Sequence, residues 1–232
     1  MNKTPVFCLL SLILGLFSAS LGAVPLVVTN EGVVGQTTVF RGALGGLGLT
    51  QLGSVSIVDS NSGTGGSPGV FSGFDLDFVF LDLDGSFATA GDRVFGSAFV
   101  FTTGTIRPTA DPAFLPTAGR PGPTSGSSAA NTINPALSTL NTRDGSFPVV
   151  FNTDNVSGWL TLGDGGSLLI GFAPSVTLSG TEALFFGEVG TDVGELIRAN
   201  VTVSEQPVPE PASLALLGLG LAGLTLTLRR KR

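Results

Sequence analysis

Short segments rich in Val, Phe, Leu and Thr recur along residues 24–206, where glycine and aspartate turn signals separate them. These residue types favour strands, and no sustained helical periodicity competes with them. The predicted strands are Leu26–Thr29, Thr37–Arg41, Val55–Val58, Gly73–Leu83, Ser86–Thr89, Val94–Thr103, Val149–Asn152, Gly158–Leu162, Ser167–Phe172, Ala183–Val189 and Ile197–Val203. The pattern predicts an all-β fold, a single β-sandwich or jelly-roll-like domain.

One stretch, residues 107–146, interrupts this pattern. It is rich in Pro, Gly and Ser, and residues 122–130 are of low complexity. Proline and small polar residues favour turns over regular strands. We therefore expect a long surface loop at about residues 107–146.

The most regular alternation lies in residues 73–85, which carry four aspartates. Residues two apart share a strand face, so Asp75 and Asp77 are predicted to lie opposite the phenylalanines. Asp82 and Asp84 have the other parity, which would place unpaired carboxylates among apolar side chains. We therefore expect a bulge or a strand end near Leu81.

The end of this segment predicts a turn. Asp84-Gly85 suits a two-residue hairpin loop, with Ser86–Thr89 as the returning strand. The preferred interpretation makes Asp75 and Asp77 a solvated face and gives Asp84 to the turn. The alternative is a calcium site formed by Asp75, Asp77, Asp82 and Asp84, because calcium takes oxygen ligands in irregular geometry, although the spacing does not match an EF-hand loop. Calcium apart, the sequence predicts no cofactor.

Candidate catalytic groups are few. The chain has no His, and its single cysteine, Cys8, lies in the N-terminal apolar segment. Ser-His-Asp and Cys-His catalysis and histidine metal sites are therefore excluded. Asp75 and Asp77 remain a nominal carboxylate pair for a hydrolase. Trp159, the only tryptophan, is expected in the core and not on a sugar-binding surface, so we expect no enzymatic activity.

The net charge of the central region limits the partners that this region can bind. Residues 24–208 hold six Arg, no Lys and 16 acidic residues, a net charge of −10, whereas the whole chain has −6 because cations cluster at its ends. Such a domain repels nucleic acid and anionic polysaccharide, so no nucleic-acid partner is expected. It can bind divalent cations, and through them it can contact other acidic surfaces.

The two ends of the chain differ from the centre. Residues 1–23 contain a basic start at Lys3, the apolar run Val6–Phe17 and a small-residue exit, which predict a secretory signal peptide and export by the Sec machinery. At the other end, Ala212–Leu228 is 17 residues long and uncharged, which is just enough for one short transmembrane helix.

A basic cluster and a proline motif flank the C-terminal apolar run. The four cations are Arg229, Arg230, Lys231 and Arg232, and they should stay cytoplasmic, which places the preceding domain across the inner membrane. The motif before the run is Pro209-Glu210-Pro211, in which the prolines hold Glu210 on an extended segment.

This three-part tail, residues 207–232, resembles the PEP-CTERM sorting signal of Gram-negative bacteria. The resemblance implies that a membrane transpeptidase-like enzyme, an exosortase, recognises Pro209-Glu210-Pro211 and processes the tail. It also implies export, often in organisms that make exopolysaccharide. The alternative is a plain membrane anchor with a coincidental Pro-Glu-Pro. The expected organisation is a signal peptide at 1–23, a β-rich exported domain at 24–206 and the sorting tail at 207–232.

Together these features predict an exported, envelope-sorted structural or adhesive protein of the cell surface or exopolysaccharide matrix. An inner-membrane precursor would come first, and the exosortase would process it. Two other classes stay open: an extracellular calcium- or carbohydrate-binding module, and a secreted hydrolase that uses carboxylates.

Overall fold

The structure, a computed structural model, describes residues 22–63, 69–108, 126–145, 158–189 and 199–206. Almost all of the predicted signal peptide, and the whole tail with the predicted transmembrane helix, lie outside these residues. No helix that could span a bilayer occurs among the residues described. The described chain is all-β, as predicted.

One of the sheets in the described chain has five strands, each antiparallel to its neighbours. With strands numbered in chain order, its spatial order is β1 (Val24–Pro25), β13 (Ala199–Ser204), β4 (Gln51–Asp59), β11 (Ser167–Thr177) and β7 (Ala98–Thr102). Strand β7 is therefore an edge.

The second large sheet has six described strands. Its order is β10 (Leu160–Thr161), β5 (Asp75–Asp82), β12 (Ala183–Val189), β3 (Thr37–Ala43) and β2 (Thr29–Val34), and β6 (Arg93–Val94) also pairs with β5. A small separate pair is formed by β8 (Ser127–Ala129) and β9 (Thr132–Ile133).

The inner faces of the two large sheets share one hydrophobic core, which fits the predicted sandwich. The five-stranded sheet contributes Leu52, Val55, Ile57, Phe101, Leu168, Ile170, Phe172, Val201 and Val203, and the six-stranded sheet contributes Phe40, Leu76, Val79, Leu81, Leu160, Leu184 and Phe186. Along β12, and at Val55 and Ile57 of β4, these residues alternate with the opposite face, as the period-two pattern requires. Leu52 has the other parity and lies next to the register shift between β4 and β11.

Strand β5 changes phase in its middle. Phe186 of β12 pairs with Val79 and Glu188 pairs with Leu76, so Asp77 and Phe78 together oppose Gly187. This is a β-bulge, and a Cβ at Gly187 would lie 2.5 Å from the Phe78 ring. The predicted strand end near Leu81 is confirmed, because β5 ends at Asp82. The bulge lies earlier in the strand, at Asp77 and Phe78.

The bulge places Leu76, Val79 and Leu81 of β5 on the inner face of the sheet and Phe78 and Phe80 on the outer face. Phe78 and Phe80 pack on the outer face of the six-stranded sheet, together with Phe185 and Phe87. The Arg93 guanidinium lies 4.3 Å from the centroid of the Phe80 ring. Strands β5 and β12 are therefore buried on both faces of the sheet, and the loop after β5 covers the outer face.

The predicted strands are largely confirmed, with four exceptions. Ser86–Thr89 is a turn, because the Ser86 amide donates to aspartate side chains instead of to a partner strand. Val94–Thr103 is interrupted between β6 and β7, and the region of Leu26–Thr29 is strand only at Thr29. Val149–Asn152 lies outside the described residues. The predicted loop at 107–146 is also wrong in part, because β8 and β9 lie within it.

Candidate functional site: an acidic loop

Three carboxylates meet where β5 leaves its sheet and the chain returns to β6. Asp82, Asp84 and Asp92 each present one oxygen within 4.8 Å of the oxygens of the other two. We call these three residues the acidic cluster. Asp82 is the last residue of β5 and pairs in register with Arg93 of β6, so the cluster closes the base of loop 83–92.

The backbone of this loop is folded around the carboxylates. The Ser86 amide donates to Asp82 Oδ1 at 2.9 Å and to Asp84 Oδ1 at 2.8 Å. The Asp84 amide donates to Asp92 Oδ2 at 3.2 Å. Gly85 has a φ of 72°, and any Cβ there would collide with the Thr181 carbonyl, so only glycine fits. A longer loop therefore replaces the predicted two-residue turn.

The negative charges of the acidic cluster have no counterion among the described residues. Asp82 is fully buried, and its Oδ2 has no hydrogen-bond partner among the described residues; buried Asp92 Oδ1 has none either. No described cation forms an ion pair with the cluster. Burial, and then the neighbouring Asp84 and Asp92, raise the pKa of Asp82 against the opposing Ser86 amide, whereas a hydrogen bond with Asp82 lowers the pKa of Asp84.

The structure unites two of the four predicted metal ligands and separates the other two. Asp82 and Asp84 belong to the acidic cluster, while Asp75 and Asp77 lie in the first half of β5 and are 4% and 0% exposed. The interpretation of Asp75 and Asp77 as a solvated face is wrong. Sequence analysis missed Asp92, because its place in the cluster depends on the length of the loop.

Asp77 instead joins three distant parts of the fold. It accepts hydrogen bonds from the Thr37 hydroxyl at 2.6 Å, the Gly145 amide at 2.7 Å and the Asp144 amide at 3.2 Å. Burial raises the pKa of Asp77, although these three donors favour the ionised form. The contacts connect β3, the bulge of β5 and the segment that follows β9.

A cavity of about 550 Å³ lies beside the edge strand β7. Residues that line it include Phe95, Phe99, Phe101, Leu140, Asn131 and Asn141. Phe95 and Phe99 are about 40% exposed, so apolar rings border the opening together with amide side chains. Its size is in the range of small-molecule sites.

Glu182 stabilises the turn between β11 and β12, and its pKa gives a test at low pH. It accepts hydrogen bonds from the Ser179 amide and hydroxyl at 2.6 and 2.7 Å and from the Gly180 amide at 2.8 Å. Burial alone would raise its pKa, but these bonds outweigh it and lower the pKa to about 2 from an ordinary value of 4.5.

We expect Glu182→Gln to lower the free energy of unfolding by about 2 kcal/mol at pH 7, because the charge-assisted bonds are lost. Since the folded pKa is lowered, the wild-type advantage is complete above the unfolded pKa and disappears as the pH falls from about 4.5 towards 2. Denaturant unfolding of both proteins at pH 7, 4 and 3 measures the difference. A difference that stays constant across this range would contradict the assignment.

The comparisons with known proteins give one match. The family described as the PEP-CTERM protein-sorting motif matches residues 207–232. No curated protein and no solved structure matches this chain significantly. The motif indicates an exported protein that is sorted in association with the membrane and the envelope. The chain thus carries a C-terminal PEP-CTERM protein-sorting motif, as the Pro-Glu-Pro, apolar and basic segments of the tail predicted.

Proposed function

We propose that this chain is an exported structural or adhesive protein of the cell surface or exopolysaccharide matrix, without catalytic activity. The observation that carries the proposal is the PEP-CTERM match at residues 207–232. In this proposal residues 1–23 direct Sec export, and residues 212–228 hold a precursor in the inner membrane. An exosortase then acts at Pro209-Glu210-Pro211 and releases the domain towards the surface.

The buried carboxylates of the β domain support a structural role. The buried Asp77, Glu182 and Glu205 accept hydrogen bonds from the surrounding chain. Glu205 receives the Thr50 amide at 2.6 Å, which connects the end of the domain to the start of β4. Carboxylates engaged in this way stabilise a scaffold, and the net negative charge of residues 24–208 disfavours nonspecific association with anionic polymers.

The test follows the fate of the tail. In a host that contains an exosortase, intact-mass analysis of the envelope-associated protein should give a C-terminus at or near Pro209–Pro211. Pro211→Ala should leave the full-length form in the inner membrane, because the recognition motif is altered. Ser213→Ala is the matched control, since it changes a neighbouring residue outside the motif and should be processed normally.

A mature surface form that still carries Arg229–Arg232 in such a host would contradict this proposal. So would normal processing of the Pro211→Ala protein. Either outcome would leave the tail as a plain membrane anchor.

The second candidate function is an extracellular calcium- or carbohydrate-binding module. The acidic cluster favours calcium, and the cavity beside Phe95 and Phe99 offers apolar rings and amide groups of the kind that bind a small polar ligand. Calcium-specific stabilisation or retention on a glycan would separate this module from a passive structural protein. A carboxylate-based hydrolase is less favoured, because the Asp77 side chain is fully buried among donors from the chain itself.

A further inference from the structure

We propose that Asp82, Asp84 and Asp92 bind one calcium ion at the base of loop 83–92. The site differs from the predicted one, because Asp92 replaces the buried Asp75 and Asp77 as a ligand. The proposal concerns the folded domain and does not rest on sorting. Failure of tail processing in cells and failure of calcium binding by the purified protein are separate results.

The spacing of the carboxylates fits a shared ion. Calcium–oxygen distances are about 2.3–2.6 Å, so two oxygens on one ion lie no more than about 5 Å apart. The three oxygens of the acidic cluster lie within 4.8 Å of one another before any ion is considered. Only small adjustments of the side chains are needed to bring all three onto one centre.

Unpartnered buried oxygens give a second and independent reason. Asp82 is fully buried and its Oδ1 accepts the Ser86 amide, but its Oδ2 has no donor among the described residues. The same is true of buried Asp92 Oδ1. A buried carboxylate oxygen without a donor is costly, and a cation beside both oxygens removes that cost.

The nearby arginines do not fill this role. Arg41 donates through Nε to the Gly85 carbonyl at 3.2 Å, and Arg93 donates to the Phe87 carbonyl at 2.7 Å while it lies over two phenylalanine rings. Both guanidinium groups therefore bind backbone carbonyls of the loop and do not neutralise the carboxylates, so another cation can do so.

The donor set points to calcium among common ions. Zinc prefers Cys and His ligands, and the chain has no His. Magnesium requires a tight octahedron and keeps several waters, whereas calcium accepts irregular oxygen shells. Asp84 is exposed, so water can complete the shell on that side. For a site with three carboxylates on a surface loop we expect a calcium Kd of about 0.1–1 mM, the range of extracellular modules.

Calcium would also stabilise the cover of the six-stranded sheet. Loop 83–92 carries Phe87, which packs on Phe78, Phe80 and Phe185. Holding both ends of the loop on one ion keeps this ring in place. Binding to the folded state alone raises the melting temperature by linkage, and this shift is the readout.

The experiment compares thermal unfolding of the purified full-length chain in about 10 mM calcium chloride with sodium chloride at equal ionic strength. For a Kd of about 0.1–1 mM, linkage predicts a calcium-specific rise in Tm of about 3–10 °C. Magnesium chloride should give a smaller rise. Asp84→Asn and Asp92→Asn should lose most of the calcium-specific rise, and calorimetric titration should show one calcium per wild-type chain.

Glu31→Gln is the matched control, because it removes one exposed carboxylate far along the chain and should keep the full rise. Asp84 is also exposed, so its variant tests the ligand without disturbing the core. Equal rises in calcium and sodium would overturn the proposal. A calcium-specific rise that survives in both Asp84→Asn and Asp92→Asn would overturn it as well.

Discussion

Asp77→Ala is expected to lower the free energy of unfolding by about 3 kcal/mol, which corresponds to a fall in Tm of about 6–12 °C for a domain of this size. The substitution leaves the Thr37 hydroxyl and the amides of Asp144 and Gly145 without their acceptor. All of these groups lie in or beside the bulge of β5, where Asp77 is fully buried. Denaturant unfolding followed by circular dichroism measures the loss.

Asp77→Asn is the matched variant and should stay within about 1 kcal/mol of the wild type. Its carbonyl oxygen can accept the two amides, and its NH₂ group can donate to the Thr37 oxygen. Because burial raises the pKa of Asp77, ionising it costs stability as the pH rises through that pKa. The Asn variant lacks this cost, so it should gain relative to the wild type between acidic and neutral pH.

Two outcomes would count against this structural role. Equal stability of the Ala variant and the wild type would show that the three hydrogen bonds do not hold the bulge. A hydrolytic activity that disappears in a stably folded Asp77→Asn protein would establish carboxylate catalysis, which contradicts the proposed function.

Local sequence patterns predicted the strands well where side chains alternate regularly between the two faces of a sheet. Ala183–Val189 has the predicted bounds, because its aromatic residues alternate between two apolar faces. Strand β5 shows the limit of this reasoning. Its parity changes opposite Gly187, about a hundred positions later in the chain, and a pattern within one segment contains no information about that partner.

The candidate site was predictable to the extent that it is local. Asp82 and Asp84 are two residues apart, and both were among the candidate ligands of the alternative calcium interpretation. The position of Asp92 in the cluster depends on the length of the loop between β5 and β6, and the Asp84-Gly85 turn signal does not predict that length. The hydrogen-bond partners of Asp77 lie 40 and 68 residues away in the chain, so the residues next to it in the sequence do not predict its burial.

Trp159→Ala should cost about 4 kcal/mol of stability, the largest single effect expected in this domain. Trp159 is fully buried and stacks on Phe71, with ring centroids 5.4 Å apart and planes at 21°. Removing the indole leaves a large cavity beside Phe71 and Val189, which form one small cluster with it. Denaturant unfolding followed by circular dichroism gives the difference without relying on the indole itself.

Trp159→Phe is the control for this test, because a smaller ring can still stack on Phe71 and should lose only about 1–2 kcal/mol. The same residue also tests the carbohydrate-binding alternative. A buried tryptophan should be shielded from acrylamide quenching in the native wild-type protein, and exopolysaccharide should leave its emission unchanged. Efficient quenching in the folded state, together with a loss below 1 kcal/mol in the Ala variant, would instead make Trp159 an exposed platform of the kind that binds sugar rings.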